Sequence, residues 1–314
     1  MNILITGALG HIGSYLLRDL PKKFSDLNII AVDSLLTQRY FSLFNLPKIG
    51  NFKFINADIT KINLANTLGE IDYIIHLAAI TDASSSFHMK EFVEENNYKA
   101  TNAAINLSVK KNAKLIMMSS TSVYGTQKKT IDEDCLETEL APQSPYAEVK
   151  LKEEKLIKTV VKAKQLQSVI LRLGTIFGIS PGMRFHTAVN KFCWQAVMKD
   201  PITVWKTALE QKRPYLDLLD LGNAITHIIK TDLFNNNTYN LLSGNFTVNN
   251  IIDLIRMYEP ELSIKLVENN IMNQLSYEVL NQKFINENFK FVGNIKNGIK
   301  ETIEQLKQSN TIID

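Results

Sequence analysis

Six short apolar runs in the first 173 residues constrain this chain most: Asn2–Thr6 (NILIT), Leu27–Val32 (LNIIAV), Phe52–Ile55, Tyr73–Leu77 (YIIHL), Lys114–Met118 (KLIMM) and Ser168–Leu173 (SVILRL). Most do not alternate apolar with polar residues, which is how strands buried on both faces read. Helical stretches separate most of them, notably His11–Leu20, with Ile12, Leu16, Leu17 and Leu20 on one side, Lys90–Lys111 and Pro145–Lys164. Buried strands joined by helices make a parallel sheet covered on two faces, a doubly wound α/β domain.

After about Gly174 the texture changes. Gly178–Arg184 (GISPGMR) is turn-rich, Val189–Met198 reads as a helix, and the last third mixes short strands and helices with many Asn residues. Arg213–Leu221 and Thr238–Leu242 are expected to return to the main sheet, and Asn235–Asn237 to form a loop between elements. The expected organisation is a dinucleotide-binding domain over 1–173, with returns near 213–234 and 238–243, and a smaller, discontinuous substrate domain over 174–212 and 244–314.

Lys+Arg 35 against Asp+Glu 32 leaves +3, and the basic residues are dispersed. A phosphate-tracking nucleic-acid surface is therefore not expected, and an anionic ligand has to be met by a few placed cations. Cys135 and Cys193 lie far apart with no basic, apolar leader before them, which fits reduced thiols in a cytoplasm. No apolar run approaches the ~20 residues of a spanning helix. No His/Cys/Asp spacing resembles a metal site, so no metal is expected. His76 reads as a packed core residue and His11 as facing the loop exterior. Phe192, Trp194 and Trp205 read as core, with stacking on a nucleobase as the alternative.

Gly7-Ala8-Leu9-Gly10-His11-Ile12-Gly13 follows the first strand and opens the first helix. Glycines so placed allow a tight turn, close backbone approach to a pyrophosphate and close packing of helix on sheet, while the helix N-terminus offers free N–H groups. Asp33 ends the second strand, where a carboxylate accepts hydrogen bonds from an adenosine ribose and repels a 2′-phosphate, favouring NAD over NADP; Arg39 nearby keeps NADP in view. Asp58-Ile59 follows the third strand. Asp58 suits either the adenine edge or an N-cap for Ile59–Leu68.

Tyr146 and Lys150 stand at i and i+4 at the start of a helix and share a face. An ammonium beside a phenol favours phenolate and lowers its pKa from about 10, which suits a general base. Ser119-Ser120-Thr121-Ser122-Val123-Tyr124-Gly125, at the end of the fifth strand, sets hydroxyls at the sheet edge where ligands bind.

With these motifs stand His76-Leu77-Ala78-Ala79, Asn97 with Thr101, Leu171-Arg172-Leu173-Gly174 with Phe177-Gly178, and Arg213-Pro214-Tyr215-Leu216-Asp217-Leu218-Leu219-Asp220. In this order, from Asn2 to about Leu306, the chain resembles an extended short-chain dehydrogenase/reductase of the NAD-dependent nucleotide-sugar epimerase/dehydratase type, a Rossmann-type α/β fold. The resemblance implies a triad of Ser120, Tyr146 and Lys150. It implies that Gly7, Gly10, His11, Ile12 and Gly13 surround the pyrophosphate, that Leu77, Ala78 and Ala79 line the nicotinamide side, and that Asp33, Asp58, Ile59, Asn97 and Lys150 complete the NAD site. Thr81, Ser86, Thr121, Thr175, Asn190 and Lys191 match positions near the substrate, and Arg213 the arginine that clamps a nucleotide-sugar pyrophosphate. It also implies a homodimer through the helices at Lys90–Lys111 and Pro145–Lys164.

The chemistry so implied is oxidation of a sugar C4 hydroxyl to a 4-keto sugar. A 4,6-dehydratase of this family carries an Asp-Glu pair beside the catalytic Ser/Thr; here those positions are Thr121 and Ser122, neither an acid near pH 7. A 4-epimerase is the leading expectation and a 4-dehydrogenase that releases the keto sugar the alternative. A non-catalytic dinucleotide sensor is the third, opposed by the intact triad. Asp33 disfavours an NADPH-served 4-keto reductase.

Overall fold

The computed structural model describes residues 1–81, 89–125, 128–164, 166–268 and 276–308. The first half runs β1 (Asn2–Thr6), α1 (His11–Lys23), β2 (Asn28–Asp33), β3 (Asn51–Asn56), α2 (Leu64–Thr67), β4 (Tyr73–His76), α3 (Lys90–Lys111), β5 (Lys114–Ser120), β6 (Thr130–Ile131), α4 (Pro145–Lys164) and β7 (Ser168–Leu173). There follow β8 (Thr175–Phe177), α5 (Ala188–Val197), β9 (Ile202–Trp205), β10 (Arg213–Asp217), α6 (Leu218–Thr231), β11 (Thr238–Leu241) and β12 (Gly244–Phe246). The chain ends with α7 (Val248–Arg256), β13 (Ile264–Val267), β14 (Glu278–Val279), α8 (Gln282–Ile285) and α9 (Ile295–Lys307).

Seven parallel strands form the main sheet in the order β11-β7-β5-β4-β1-β2-β3. The period of two sends Ile3 and Ile5 of β1 to one face and Leu4 to the other. The first face packs with Leu16, Leu17 and Leu20 of α1 and Leu221, Ile225 and Ile228 of α6. The second packs with Ala100, Ala104 and Ile105 of α3 and Ile157 of α4. Strand order reverses between β1 and β4, the switch point whose carboxyl edge opens into a ligand crevice.

A separate core gathers Val189, Phe192 and Cys193 of α5, Ile251 and Ile255 of α7, and Ile299 and Ile303 of α9 around Phe177 and Tyr215. Arg213–Asp217 does not return to the main sheet as the sequence suggested: β10 pairs in parallel with β8 and antiparallel with β12. The reason lies at Gly174, whose N–H makes the last main-sheet bond, to the Leu241 carbonyl at 2.9 Å. A side chain at Gly174 would approach the Pro214 carbonyl carbon to 3.0 Å, so the strand peels away into β8 with β10 against it. Thr238–Leu241 does join the main sheet, beside β7.

Candidate active site

Residues of β1, β2, β4, β5, α4, β8 and β10 line one cavity of about 1040 Å³ at the carboxyl edge of the sheet. The strand order β2-β1-β4-β5 sets Asp33, the glycine loop, Leu77–Ala79 and Ser120 in a row along its floor.

Gly7 has φ +63°, and a Cβ there would lie 2.8 Å from the Leu77 carbonyl carbon and the Ala78 nitrogen. At Gly13 a Cβ would meet the Ala8 carbonyl oxygen at 2.5 Å. Both positions require glycine because backbone passes where a side chain would stand. Gly10 caps α1 without a side-chain hydrogen bond, leaving the first-turn N–H groups to face an anion.

His11 is buried, not directed to the loop exterior as expected: its Nε2 lies 2.7 Å from the Gly178 carbonyl, and burial lowers its pKa to about 4. The ring is neutral, with the proton assigned to Nε2 by that acceptor. Ser180 Oγ donates to the His11 carbonyl (2.8 Å), Ser14 Oγ to Ser180 Oγ (3.0 Å) and Gly182 N to Ser14 Oγ (2.9 Å). The turn after β8 is thus stitched to the first turn of α1.

Asp33 Oδ2 accepts the Leu9 N–H at 3.0 Å and Oδ1 the Leu35 N–H at 2.9 Å, which fixes the carboxylate at the cavity wall. Arg39 lines the same wall; burial lowers its pKa while the Asp33 charge opposes the shift. Asp58 Oδ1 accepts from both the N–H (2.9 Å) and hydroxyl (2.7 Å) of Thr60, which with Lys61 outweigh burial and hold its carboxyl below the usual range. It closes a turn and caps no helix over 59–68, where only α2 forms. Ile59 is buried with an edge on the cavity.

Ser144 Oγ accepts the Ala147 N–H at 3.2 Å, and Pro145 begins α4, so this start is well specified. Tyr146 and Lys150 both line the cavity, with Lys150 Nζ 5.9 Å from the Tyr146 ring centroid. Lys150 is buried and pairs with Glu153 Oε2 at 2.8 Å. Burial pushes the Tyr146 phenol up, and Lys150 opposes it. Ser120 Oγ accepts the Ser122 hydroxyl at 2.8 Å and faces the cavity, whereas the Thr121 hydroxyl donates to the Leu173 carbonyl at 3.1 Å.

Thr81, Thr175, Lys191 and Arg213 line the cavity as expected. Arg213 donates to the Lys212 carbonyl and to Gln211 Oε1, both at 2.9 Å, and its guanidinium lies 5.8 Å from the Tyr277 ring centroid. Burial lowers its pKa.

Two of the expected residues do not line the cavity. Asn97 lies outside the cavity: it accepts the Ile80 N–H at 2.8 Å and donates to the Ile80 carbonyl at 2.9 Å, pinning the segment after β4 from behind. Asn190 is also behind the wall, donating to the Arg184 carbonyl at 3.0 Å. Both are buried in helices whose cavity faces are held by other residues. Ser86 lies outside the described residues. Phe192 packs in the core of the smaller lobe with an edge on the cavity, Trp205 lines the cavity, and Trp194 is exposed rather than in the core as expected, its ring tilted against Phe185 with centroids 5.1 Å apart.

Sequence reasoning missed Arg184, His186 and Tyr277, which also line the cavity. Arg184 Nη1 bonds the Thr81 hydroxyl. Its signal was the basic residue closing a Gly/Pro turn; Tyr277 carries none. Among the described residues no group of His, Cys, Asp and Glu suits a metal ion, and no helix is long and apolar enough to cross a membrane. Uncapped N–H groups, a cradle only glycine fills and a fixed carboxylate fit a dinucleotide.

Comparisons with known proteins agree. Residues 3–241 match the family model described as NAD dependent epimerase/dehydratase. The chain is 31% identical over 239 residues to a protein of Bacillus subtilis (strain 168) described as an uncharacterized UDP-glucose epimerase, covering 73% of this chain and 72% of that one. To an Arabidopsis thaliana protein described as a trifunctional UDP-glucose 4,6-dehydratase, UDP-4-keto-6-deoxy-D-glucose 3,5-epimerase and UDP-4-keto-L-rhamnose-reductase it is 28% identical over 98% of its length, spanning 47% of that protein. The solved UDP-glucuronic acid 4-epimerase of Bacillus cereus, in complex with UDP-glucuronic acid and NAD, superposes with a TM-score of 0.84 at 25% identity, covering 98% of this chain and all of that one (100%). The glycine cradle, the fixed carboxylate and the paired Tyr146 and Lys150 therefore sit in a chain that belongs to the NAD dependent epimerase/dehydratase family.

Proposed function

We propose that the protein is an NAD-dependent nucleotide-sugar 4-epimerase. The observation that carries this reading is that Tyr146 and Lys150 face the same cavity as the glycine loop and Asp33, while the two positions after Ser120 hold hydroxyls and no acid.

The first-turn N–H groups of α1 hold the dinucleotide pyrophosphate, Asp33 its adenosine ribose, and Lys150 its second ribose. Bound NAD supplies the acceptor and donor of hydride. Tyr146 takes the proton of the sugar C4 hydroxyl and later returns it, so the tyrosine ends each cycle as it began. Lys150 stabilises the phenolate between those transfers. Ser120 Oγ, which accepts from Ser122 and keeps its own proton to donate, orients the C4 oxygen. Arg213 forks onto the substrate diphosphate, a placement that planar guanidinium serves better than ammonium. The Thr121 hydroxyl is committed to the Leu173 carbonyl and the Ser122 hydroxyl to Ser120, so neither neighbour serves elimination of water.

We place the partner surface for a second copy on α3 and α4, where Tyr98 is exposed beside the Lys152–Glu94 ion pair. Free Cys135 and Cys193 fit a reducing cytoplasm.

The test is incubation of the purified protein with UDP-, GDP-, CDP- and dTDP-sugars, following NADH absorbance and product stereochemistry. A C4 epimer without net NADH supports the epimerase. Absorbance that rises and stays assigns the dehydrogenase, and no turnover with any sugar leaves a dinucleotide-binding module. Tyr146→Phe is expected to retain NAD and lose at least about a hundredfold in turnover.

A further inference from the structure

Glu153 lies on the buried side of α4, three residues after Lys150, and its side chain is 0% exposed. A carboxylate withdrawn from water persists only when it is paired and hydrogen-bonded. Its Oε2 takes the Lys150 ammonium at 2.8 Å, and its Oε1 has no hydrogen-bond partner, although the Thr101 hydroxyl faces the carboxylate closely enough to lower its pKa.

A directed network fixes the far side of this pair. Thr6 Oγ1 accepts the N–H groups of Leu77 (3.1 Å) and Ala78 (3.2 Å), so its own proton goes to His76 Nδ1 at 2.8 Å. The imidazole is neutral, its pKa held at about 3 by burial and by Lys150. His76 Nε2–H then donates to Thr101 Oγ1 at 3.2 Å, so the Thr101 hydroxyl proton is not taken up by His76 and can turn toward the Glu153 carboxylate. Of the remaining charges nearby, Glu154 is taken up by Arg172 at 2.7 Å, and Arg184 faces Tyr146 from the turn after β8.

Lys150 therefore stands between two groups that want its charge. We propose that Glu153 is a positioning residue: it anchors the Lys150 ammonium beside Tyr146 and offsets part of its charge, so that Tyr146 is available as phenolate, the form that takes the substrate proton, only at higher pH than Lys150 alone would allow. This rests on the roles given above to Tyr146 and Lys150. The electrostatic signs agree, since burial and Glu153 raise the Tyr146 phenol while Lys150 and Arg184 lower it.

The experiment is an ultraviolet titration of tyrosinate in the full chain, with the Tyr146→Phe titration subtracted so that the difference reports Tyr146, run beside the pH profile of kcat. Glu153→Gln is expected to move both the titration and the acid limb of kcat lower by about one pH unit, roughly tenfold more phenolate below the midpoint. Glu153→Asp, which draws the carboxylate back by one methylene, is expected to shift both in the same direction by less. Midpoints unchanged from wild type, with kcat lowered equally at every pH, are what a merely structural residue gives and overturn the proposal; so does a shift to higher pH. If Glu153→Gln does not fold, the sign of the Glu153→Asp shift decides alone. The titration needs no turnover, so an active Tyr146→Phe variant sinks the functional reading while the titration still judges Glu153.

Discussion

Arg172 of β7 forks onto Glu154 of α4, Nε to Oε1 at 2.9 Å and Nη2 to Oε2 at 2.7 Å, with both side chains buried. Its Nη1 also donates to the Tyr124 hydroxyl at 2.9 Å, and the guanidinium sits 4.9 Å from that ring centroid. The pair locks the helix that carries Tyr146 and Lys150 to the strand beside Ser120. Arg172→Met leaves a buried carboxylate alone and is expected to cost about 3–5 kcal/mol. Chemical denaturation measures it; a loss under about 1 kcal/mol contradicts the assigned role.

His11 makes folding pH-dependent. Its pKa falls from 6.5 unfolded to about 4 folded, so the unfolded chain binds the extra proton between those values. Stability is full above pH 6.5 and falls by about 3 kcal/mol as pH drops toward 4. His76, held at about 3, adds to the same slope. His11→Asn is expected to flatten the decline of Tm over this window, and an unchanged slope counts against it.

At the adenosine end, the role proposed for Asp33 is to set the choice of cofactor. Asp33→Asn keeps the shape but removes the charge that repels a 2′-phosphate, with Arg39 on the same wall. NAD affinity is expected to fall about tenfold and NADP affinity to rise. Fluorescence titration with both dinucleotides checks this; equal losses for both would assign Asp33 to loop structure alone.

Arg213→Ala is expected to raise KM for the nucleotide-sugar roughly ten- to a hundredfold, the worth of a charge-assisted hydrogen bond or two, without altering NAD affinity. Calorimetry with the free nucleoside diphosphate gives the same number independently. A variant whose KM does not move places the diphosphate elsewhere.

Much of this was legible in the sequence where local rules decide. Lys90–Lys111 and Pro145–Lys164 form helices with those bounds, the first ended by Asn112 in the left-handed region, the second begun by Pro145. The six apolar runs fall within two residues of the strands they predict. What was hidden depends on partners remote in sequence. No local pattern says that Gly174 turns β8 out of the main sheet, that Asn97 and Asn190 point behind the wall, or that Tyr277 closes on Arg213. Lys150 read as a partner for Tyr146 and the cofactor, with Glu153 unremarked, because only packing of α4 against α3 and β5 reveals that Glu153 is buried.

The stitching of the turn 178–182 to the start of α1 sets how seldom the two part. Opening the lobes along that seam breaks the four hydrogen bonds joining His11 and Ser14 to Gly178, Ser180 and Gly182. At about 1 kcal/mol each, the open form is populated on the order of once in a thousand.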